Sequence, residues 1–463
     1  MMPPMKKHRL AIVFAVVLVE MMAFSVVLPL LPYLADELGA SRFQIGLLLA
    51  AYPLAQFFGA PLLGSVSDRI GRKPVLLVSI VGTGASFVVL ALARALPILF
   101  VSRLVDGITG GNINVVQAYI SDVTDEKERG KALGMIGAAF GIGFVIGPAT
   151  GGLLSGISLT APAWAGAALS ALNLVLVATF LPESLTAEDR AHASRRAWKL
   201  FDTTALRRSL RHRRVGPLLT IRTASAFSSA LFESTFTLWA IAALAVTARV
   251  NGLLLGYVGV LTVLVQVLLI GRLTKRYSDD RLLLATLLLT GASLMAWGFA
   301  GDIATLMLLM PAIAVGLGVG NTVMTSALSK AVDRREVGGV LGIQTSIMSL
   351  ARVVGPIIGG LLLDRAEVWS PGVLAGGLAL LMAPYAWRVL CIRPGRRACD
   401  EESAEAGLAG GVPTPNGADH GPHDDRQDGH GDGQWHEGRP VPVSGGTAVR
   451  AEPDHGQVDE RQY

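Results

Sequence analysis

The chain is 463 residues long, 51% hydrophobic and only 16% charged, with a mean hydropathy of +0.51. That balance excludes an ordinary soluble domain and points to a protein that crosses a membrane many times. Its formal charge of +5 conceals a division, because residues 400–463 carry fourteen Asp/Glu against four Arg, leaving a strongly basic body and an acidic tail.

The opening MMPPMKKHRL followed by AIVFAVVLVEMMAFSVVLPLLP has the basic and apolar regions of a signal peptide. The apolar part is too long and lacks a small-residue cleavage site, so it reads as an uncleaved first helix. Apolar runs near twenty residues then give twelve spans, at 10–32, 44–63, 74–94, 97–119, 131–155, 162–181, 216–243, 252–272, 281–300, 303–327, 338–363 and 371–390. Lys and Arg alternate with this count: Lys6, Lys7 and Arg9, then Arg69, Arg72 and Lys73, then Lys127, Arg129 and Lys131, then the Arg-rich segment 190–214. The second half continues with Arg272, Lys275 and Arg276, then Lys330, Arg334 and Arg335, then Arg393, Arg396 and Arg397. The other loops hold only Arg42, Arg94, Arg249 and Arg365. By the positive-inside rule both termini and the central loop are cytoplasmic, in the plasma membrane (the inner membrane of a bacterium). Basic residues confined to short loops do not indicate nucleic-acid binding.

The two halves repeat. GPATGG at Gly147 returns as GPIIGG at Gly355, GSVSDRIGRK at Gly64 as GRLTKRYSDDR at Gly271, and the GN pair closing at Asn112 closes again at Asn321, with offsets of 208, 207 and 209. One period shared by three matches implies an all-α membrane protein of twelve transmembrane helices in two pseudo-symmetric six-helix bundles. The division is 1–181 for the first bundle, 182–215 for a cytoplasmic loop, 216–390 for the second bundle and 391–463 for a tail. A six-plus-six membrane repeat places a substrate site between its halves and alternates access by rocking. The tail is rich in Gly, Pro, Asp and His, so it reads as a disordered, solvated segment. Its five histidines, His420, His423, His430, His436 and His455, match no zinc spacing. Cys391 and Cys399 read as free thiols in a reducing cytoplasm.

The stretch GMIGAAFGIGFVIGPATGG, Gly134 to Gly152, breaks the rules of an isolated helix. Each interior glycine costs about 0.5–1 kcal/mol relative to alanine and an interior proline about 3 kcal/mol. Small residues let two membrane helices approach closely, so Gly143, Gly147 and Gly151, four residues apart, suggest a partner helix, and Pro148 marks a bend.

GSVSDRIGRK matches G-x-x-x-D-R-x-G-R-[KR], the signature of the major facilitator superfamily in the loop between helices 2 and 3, with Gly64, Asp68, Arg69, Gly71 and Arg72 in place. It resembles a charged latch closing the cytoplasmic side, with Asp68 at a helix N-terminus and Arg72 paired to an acid such as Asp122. Gly134, Gly143, Gly147-Pro148 and Gly151-Gly152 resemble the helix 5 signature of proton-driven antiporters in this superfamily, and RLVDGITGGN resembles the helix 4 motif. The longer run from Arg103 to Gly152 resembles the tetracycline efflux branch.

Charged groups within spans normally face the protein interior and mark pathways, since each costs roughly 2.5–3.5 kcal/mol at bilayer centre. Here they are Glu20, Arg103, Asp106, Glu233 and Arg352, with Arg222 and Asp364 nearer span ends. Glu20 precedes Pro29 by nine residues, where the tetracycline exporters have an Asp, and reads as a carboxylate over which proton and cationic substrate compete, or as a structural helix-pairing group. Arg103 and Asp106, three residues apart, form either a proton relay or a static neutral pair. Asn112 joins this proton and substrate set, Glu233 of helix 7 is placed to complete it across the cavity, and Arg352 is read as a support for helix 11. One departure stands out: residues 281–301, helix 9, contain no acid, whereas the tetracycline exporters that the chain resembles have an intramembrane Asp in helix 9.

These features predict a secondary transporter, not an enzyme. It exports a small amphipathic or cationic molecule in exchange for protons, as a monomer in the bilayer. No G-x-x-x-x-G-K-[ST] run is present, so the proton gradient replaces any cofactor. The alternative is a proton-coupled symporter or facilitator of a sugar, organic acid or other metabolite, on the same fold.

Overall fold

The first helix, α1, runs from Pro4 to Val27 and passes through a 3-10 turn at Leu28–Leu30 into Leu31–Glu37 in the computed structural model, which describes residues 4–186, 215–332 and 337–392. Pro29 and Pro32 account for that turn, since neither can donate to the carbonyl one turn back. There follow α2 (Arg42–Ile70), α3 (Arg72–Ala91), α4 (Leu96–Thr109, continued by Gly110–Asn112 and Ile113–Val123), α5 (Glu126–Ser155) and α6 (Ala161–Phe180). The later helices are α7 (Val215–Leu244), α8 (Ala248–Leu264, a π turn at Val265–Leu269, then Ile270–Arg276), α9 (Asp279–Gly298), α10 (Ile303–Lys330), α11 (Val337–Arg365) and α12 (Ser370–Trp387, continued by Arg388–Ile392). Most of the 182–215 loop and nearly all of the 391–463 tail, with its five histidines, lie outside the described residues.

Eleven of these helices are long and apolar enough to cross a membrane, among the described residues. The twelfth span is α4, which the 3-10 turn at Gly110–Asn112 divides into two shorter pieces. Large apolar side chains face outward along the spans: Val78, Leu308 and Leu381 are 68%, 79% and 78% exposed. Such an arrangement is stable only against lipid. The protein is a multi-pass membrane protein.

Several helices overrun the apolar segments that mark them in the sequence, because local capping sets the ends. Helix α2 starts at Arg42 behind a capping box: Ser41 Oγ accepts from the Gln44 N–H at 3.2 Å, and Gln44 Oε1 accepts from the Ser41 N–H at 2.8 Å. Helix α10 starts at residue 303 as the sequence indicates, behind Asp302, whose Oδ1 accepts from the Thr305 N–H at 2.8 Å, and overruns only at its C-terminal end, to Lys330.

The glycines of α5 are explained by their neighbours. Met21, Ser25 and Val26 of α1 occupy the places that a Cβ at Gly143, Gly147 and Gly151 would need. Ser25 Oγ also donates to the carbonyl of Gly143 at 2.9 Å. The repeat in α11 uses the same device, with Gly355 against Ala230 and Gly359 against Thr235 of α7. The next glycine in each motif turns outward to the other group of six helices: Gly152 meets Gly252 of α8, and Gly360 meets Gly46 of α2. Gly134, by contrast, has nothing within 4 Å of where its Cβ would be, so close packing does not explain it.

These crossings lie toward the face opposite the N-terminus of α1. Hydrogen bonds between the two groups of helices are found there too: Tyr33 hydroxyl to Val246 carbonyl at 2.9 Å, and Arg42 Nη1 to Leu363 carbonyl at 2.7 Å. At the near face, a Cβ at Gly64, Gly137, Gly271, Gly338 or Gly342 would meet nothing within 4 Å. The two groups of helices therefore meet closely at the far face.

Candidate functional site

Three helices converge on Glu20. Its Oε1 accepts from Asn112 Nδ2 at 3.0 Å and its Oε2 from Asn173 Nδ2 at 2.7 Å, and the residue is 9% exposed. The break in α4 puts Asn112 in the 3-10 turn, directed at α1. A broken span leaves carbonyls that must be satisfied inside the protein. Gln56 Nε2 donates to Gly110 carbonyl at 3.1 Å, and Ser79 hydroxyl donates to Thr109 carbonyl. Among the described residues no cation forms an ion pair with Glu20, so its two ligands are neutral amides.

In the same bundle Arg103 Nη1 lies 3.2 Å from Asp106 Oδ2, with both side chains 2% exposed, and the guanidinium stands 5.7 Å from the Phe87 ring centroid. Arg103 Nη2 takes a further, longer contact to Ser102 Oγ at 3.3 Å. The structure thus brings the i,i+3 pair together as the sequence spacing requires.

Arg72 joins three acceptors where the loop motif meets the ends of α2, α4 and α6. Its Nη1 lies 2.5 Å from Asp68 Oδ1 and donates to Ser67 Oγ at 2.6 Å, while Nε donates to Asp122 Oδ2 at 3.2 Å. The expected Arg72–Asp122 pair is present. Asp68, however, sits in the last turn of α2 and not at a helix N-terminus. The anion at the start of α3 is Glu183: it accepts from the N–H groups of Arg72 at 2.9 Å and Lys73 at 3.1 Å. Partial burial disfavours the Glu183 carboxylate, but backbone donors from Leu185, Arg72, Lys73 and Ser184 outweigh it and hold its pKa below the ordinary value. Asp122 also accepts from Ser184 hydroxyl at 2.9 Å, tying α6 into the cluster. Gly71, with φ of 115°, makes the turn that admits Glu183.

Glu233 makes no ion pair with a described residue. It lines a cavity of about 310 Å³ whose lining residues come from α7 to α12, among them Arg222, Arg352, Gln266 and Asn321. Arg352 lines this space from α11, and Arg222 lines it from about two turns inside the start of α7. Asn321 repeats Asn112 by sequence period but lines the cavity where Asn112 binds a carboxylate.

Sequence reasoning passed over Asn173, a lone amide in an otherwise apolar span, and Glu183, which sits just past α6 in a segment without helical period. The first carried a usable signal, because a buried amide in a membrane span needs a partner. The second did not, since only the fold brings residue 183 to residue 72.

Comparison with known proteins gives a consistent result. Residues 13–241 and 218–417 match the model of the Major Facilitator Superfamily. The chain is 32% identical over 384 residues to tetracycline resistance protein, class C, of Escherichia coli, covering 81% of this chain and 95% of that protein. It is 30% identical to solute carrier family 22 member 18 of Rattus norvegicus, covering 79% of this chain and 89% of that protein. Among solved structures a D-xylose-proton symporter superposes with a TM-score of 0.66 at 18% identity, covering 83% of this chain and 97% of the other, a likeness of fold.

Proposed function

The chain belongs to the major facilitator superfamily, and we propose that within this family of small-molecule transporters it is an exporter driven by proton exchange, moving a small amphipathic molecule out of the cytoplasm. The observation that carries the reading is Glu20: a buried carboxylate with no cationic partner among the described residues, held by Asn112 and Asn173. A fixed ion pair would lock the charge, whereas amide ligands allow either protonation state. Asn173 Oδ1 is buried without a hydrogen-bond partner, so rotation of that amide would present an acceptor to a protonated Glu20. The helix 5 glycine motif and the similarity to a tetracycline resistance protein support export.

In this scheme the far-face contacts at Gly152–Gly252 and Gly46–Gly360 close one side while the near face admits substrate. Rocking would then open the far contacts and bring the near ends together. The Arg72–Asp68–Asp122 cluster lies within the first six helices here, so its role as a latch belongs to the opposite state. Both termini are cytoplasmic in this reading, the membrane is the plasma membrane, the working unit is a monomer, and the proton gradient is the energy source. The observation favouring import is the absence of an acid in residues 281–301. Liposomes holding the protein and an internal pH-sensitive dye separate the two: proton flux opposite to added tetracycline or another amphipathic drug supports export, and co-directional flux with a sugar overturns it.

A further inference from the structure

The cavity between α7 and α12 holds more positive charge than its surroundings answer. Two guanidinium groups, Arg222 and Arg352, and one carboxylate, Glu233, line it. Arg352 repels Arg222 and Glu233 attracts it, but neither arginine forms an ion pair within 4 Å among the described residues. Arg222 is 4% exposed; one terminal nitrogen points at the thioether of Met348, a weak acceptor, and Nε is buried with no partner. A buried, underpaired guanidinium in a membrane span is costly, and a protein keeps one where a ligand completes it.

The rest of the cavity suits an amphipathic molecule. Phe232 offers an aromatic wall, backed by Trp297 in edge-on contact at 4.9 Å. The π turn at Val265–Leu269 displaces the register of α8 where Gln266 joins the lining, a distortion that recurs at functional sites. A volume of about 310 Å³ lies at the lower end of small-molecule sites.

We infer that this cavity is the cargo site and that it binds an amphipathic organic anion, with a carboxylate or sulfonate held between Arg222 and Arg352 and an apolar ring against Phe232. The inference rests on the exporter reading for the word cargo; of the amphipathic or cationic substrate expected from the sequence it keeps the amphipathic character and reverses the charge. Glu20, enclosed by its two amides, is left to the proton.

The test is equilibrium binding to the purified full-length protein with no pH gradient, using two probes of the same ring: 2-naphthoxyacetate and (2-naphthylmethyl)trimethylammonium. The wild type should bind the anion at least roughly ten-fold more tightly, the size of effect that one charge-assisted hydrogen bond gives. Arg222→Gln with Arg352→Gln should erase that preference, and Arg222→Lys should retain part of it. A wild type that prefers the ammonium probe, or neither probe, overturns the inference, as does an anion preference surviving in the double variant. If the double variant does not fold, Arg352→Gln alone, at a position facing the cavity, decides the same point. Because no transport is measured, failure of proton-driven export would sink the exporter reading and leave this site standing.

Discussion

Gly152 of α5 and Gly252 of α8 lie against each other so closely that a Cβ on the first would come within 2.8 Å of the other's Cα, and a Cβ on the second within 2.5 Å. No other residue fits at this crossing without moving a helix. Gly152→Leu should therefore force the far face apart, lowering thermal stability by about 1–3 kcal/mol, the usual overpacking penalty. Transport into liposomes, followed by scintillation counting, should fall with it, whereas Gly137→Ala, where a Cβ meets nothing within 4 Å, should transport as the wild type does. Undiminished transport by Gly152→Leu would remove the far-face closure from the mechanism.

Glu20→Gln should leave the protein folded, since an amide can still meet both Asn112 and Asn173. Coupling should be lost: substrate exchange at equal pH continues while a pH gradient no longer drives accumulation. Asn173→Leu should do more structural harm, of about 1–3 kcal/mol, by leaving a buried carboxylate oxygen unmatched. Gradient-driven accumulation by Glu20→Gln at the wild-type level would reduce Glu20 to a helix-pairing group.

Arg103→Ala should be worse than Arg103→Lys. It leaves Asp106 as an uncompensated buried charge, which in comparable pairs costs about 3–5 kcal/mol, and both side chains are only 2% exposed. Yield after detergent extraction and the melting temperature measure this. Equal stability of the two variants would mean that Asp106 needs no cation.

Glu183→Gln should loosen the start of α3 by about 1 kcal/mol, a typical loss for an N-terminal cap, reduced further by the solvent around this half-buried group. The pH dependence has a definite sign. Folding lowers the Glu183 pKa from its ordinary 4.5, so the contribution is fully present above that value and disappears as pH falls through the lowered one. Hydrogen exchange at the first amides of α3, compared at neutral and acidic pH, should distinguish wild type from variant only at the higher pH. A difference confined to low pH would contradict the capping role.

Much of this protein was legible because hydrophobic length is a one-dimensional property. A run of about twenty apolar residues must cross the bilayer whatever its neighbours do, so the all-helical class and the family signature at Gly64, Asp68, Arg69, Gly71 and Arg72 followed from the chain alone. The Arg103–Asp106 contact was equally local, because three residues along a helix are neighbours by geometry. What the sequence left open depends on which faces meet, and that is decided by packing among helices far apart in the chain. It set Glu183, not Asp68, at the start of α3, gave Glu20 its second amide from residue 173, and placed Glu233 in the lining of a cavity with Arg222 and Arg352. Two arginines, Arg222 and Arg352, stand 130 residues apart and come to line one cavity only when α7 and α11 pack around it.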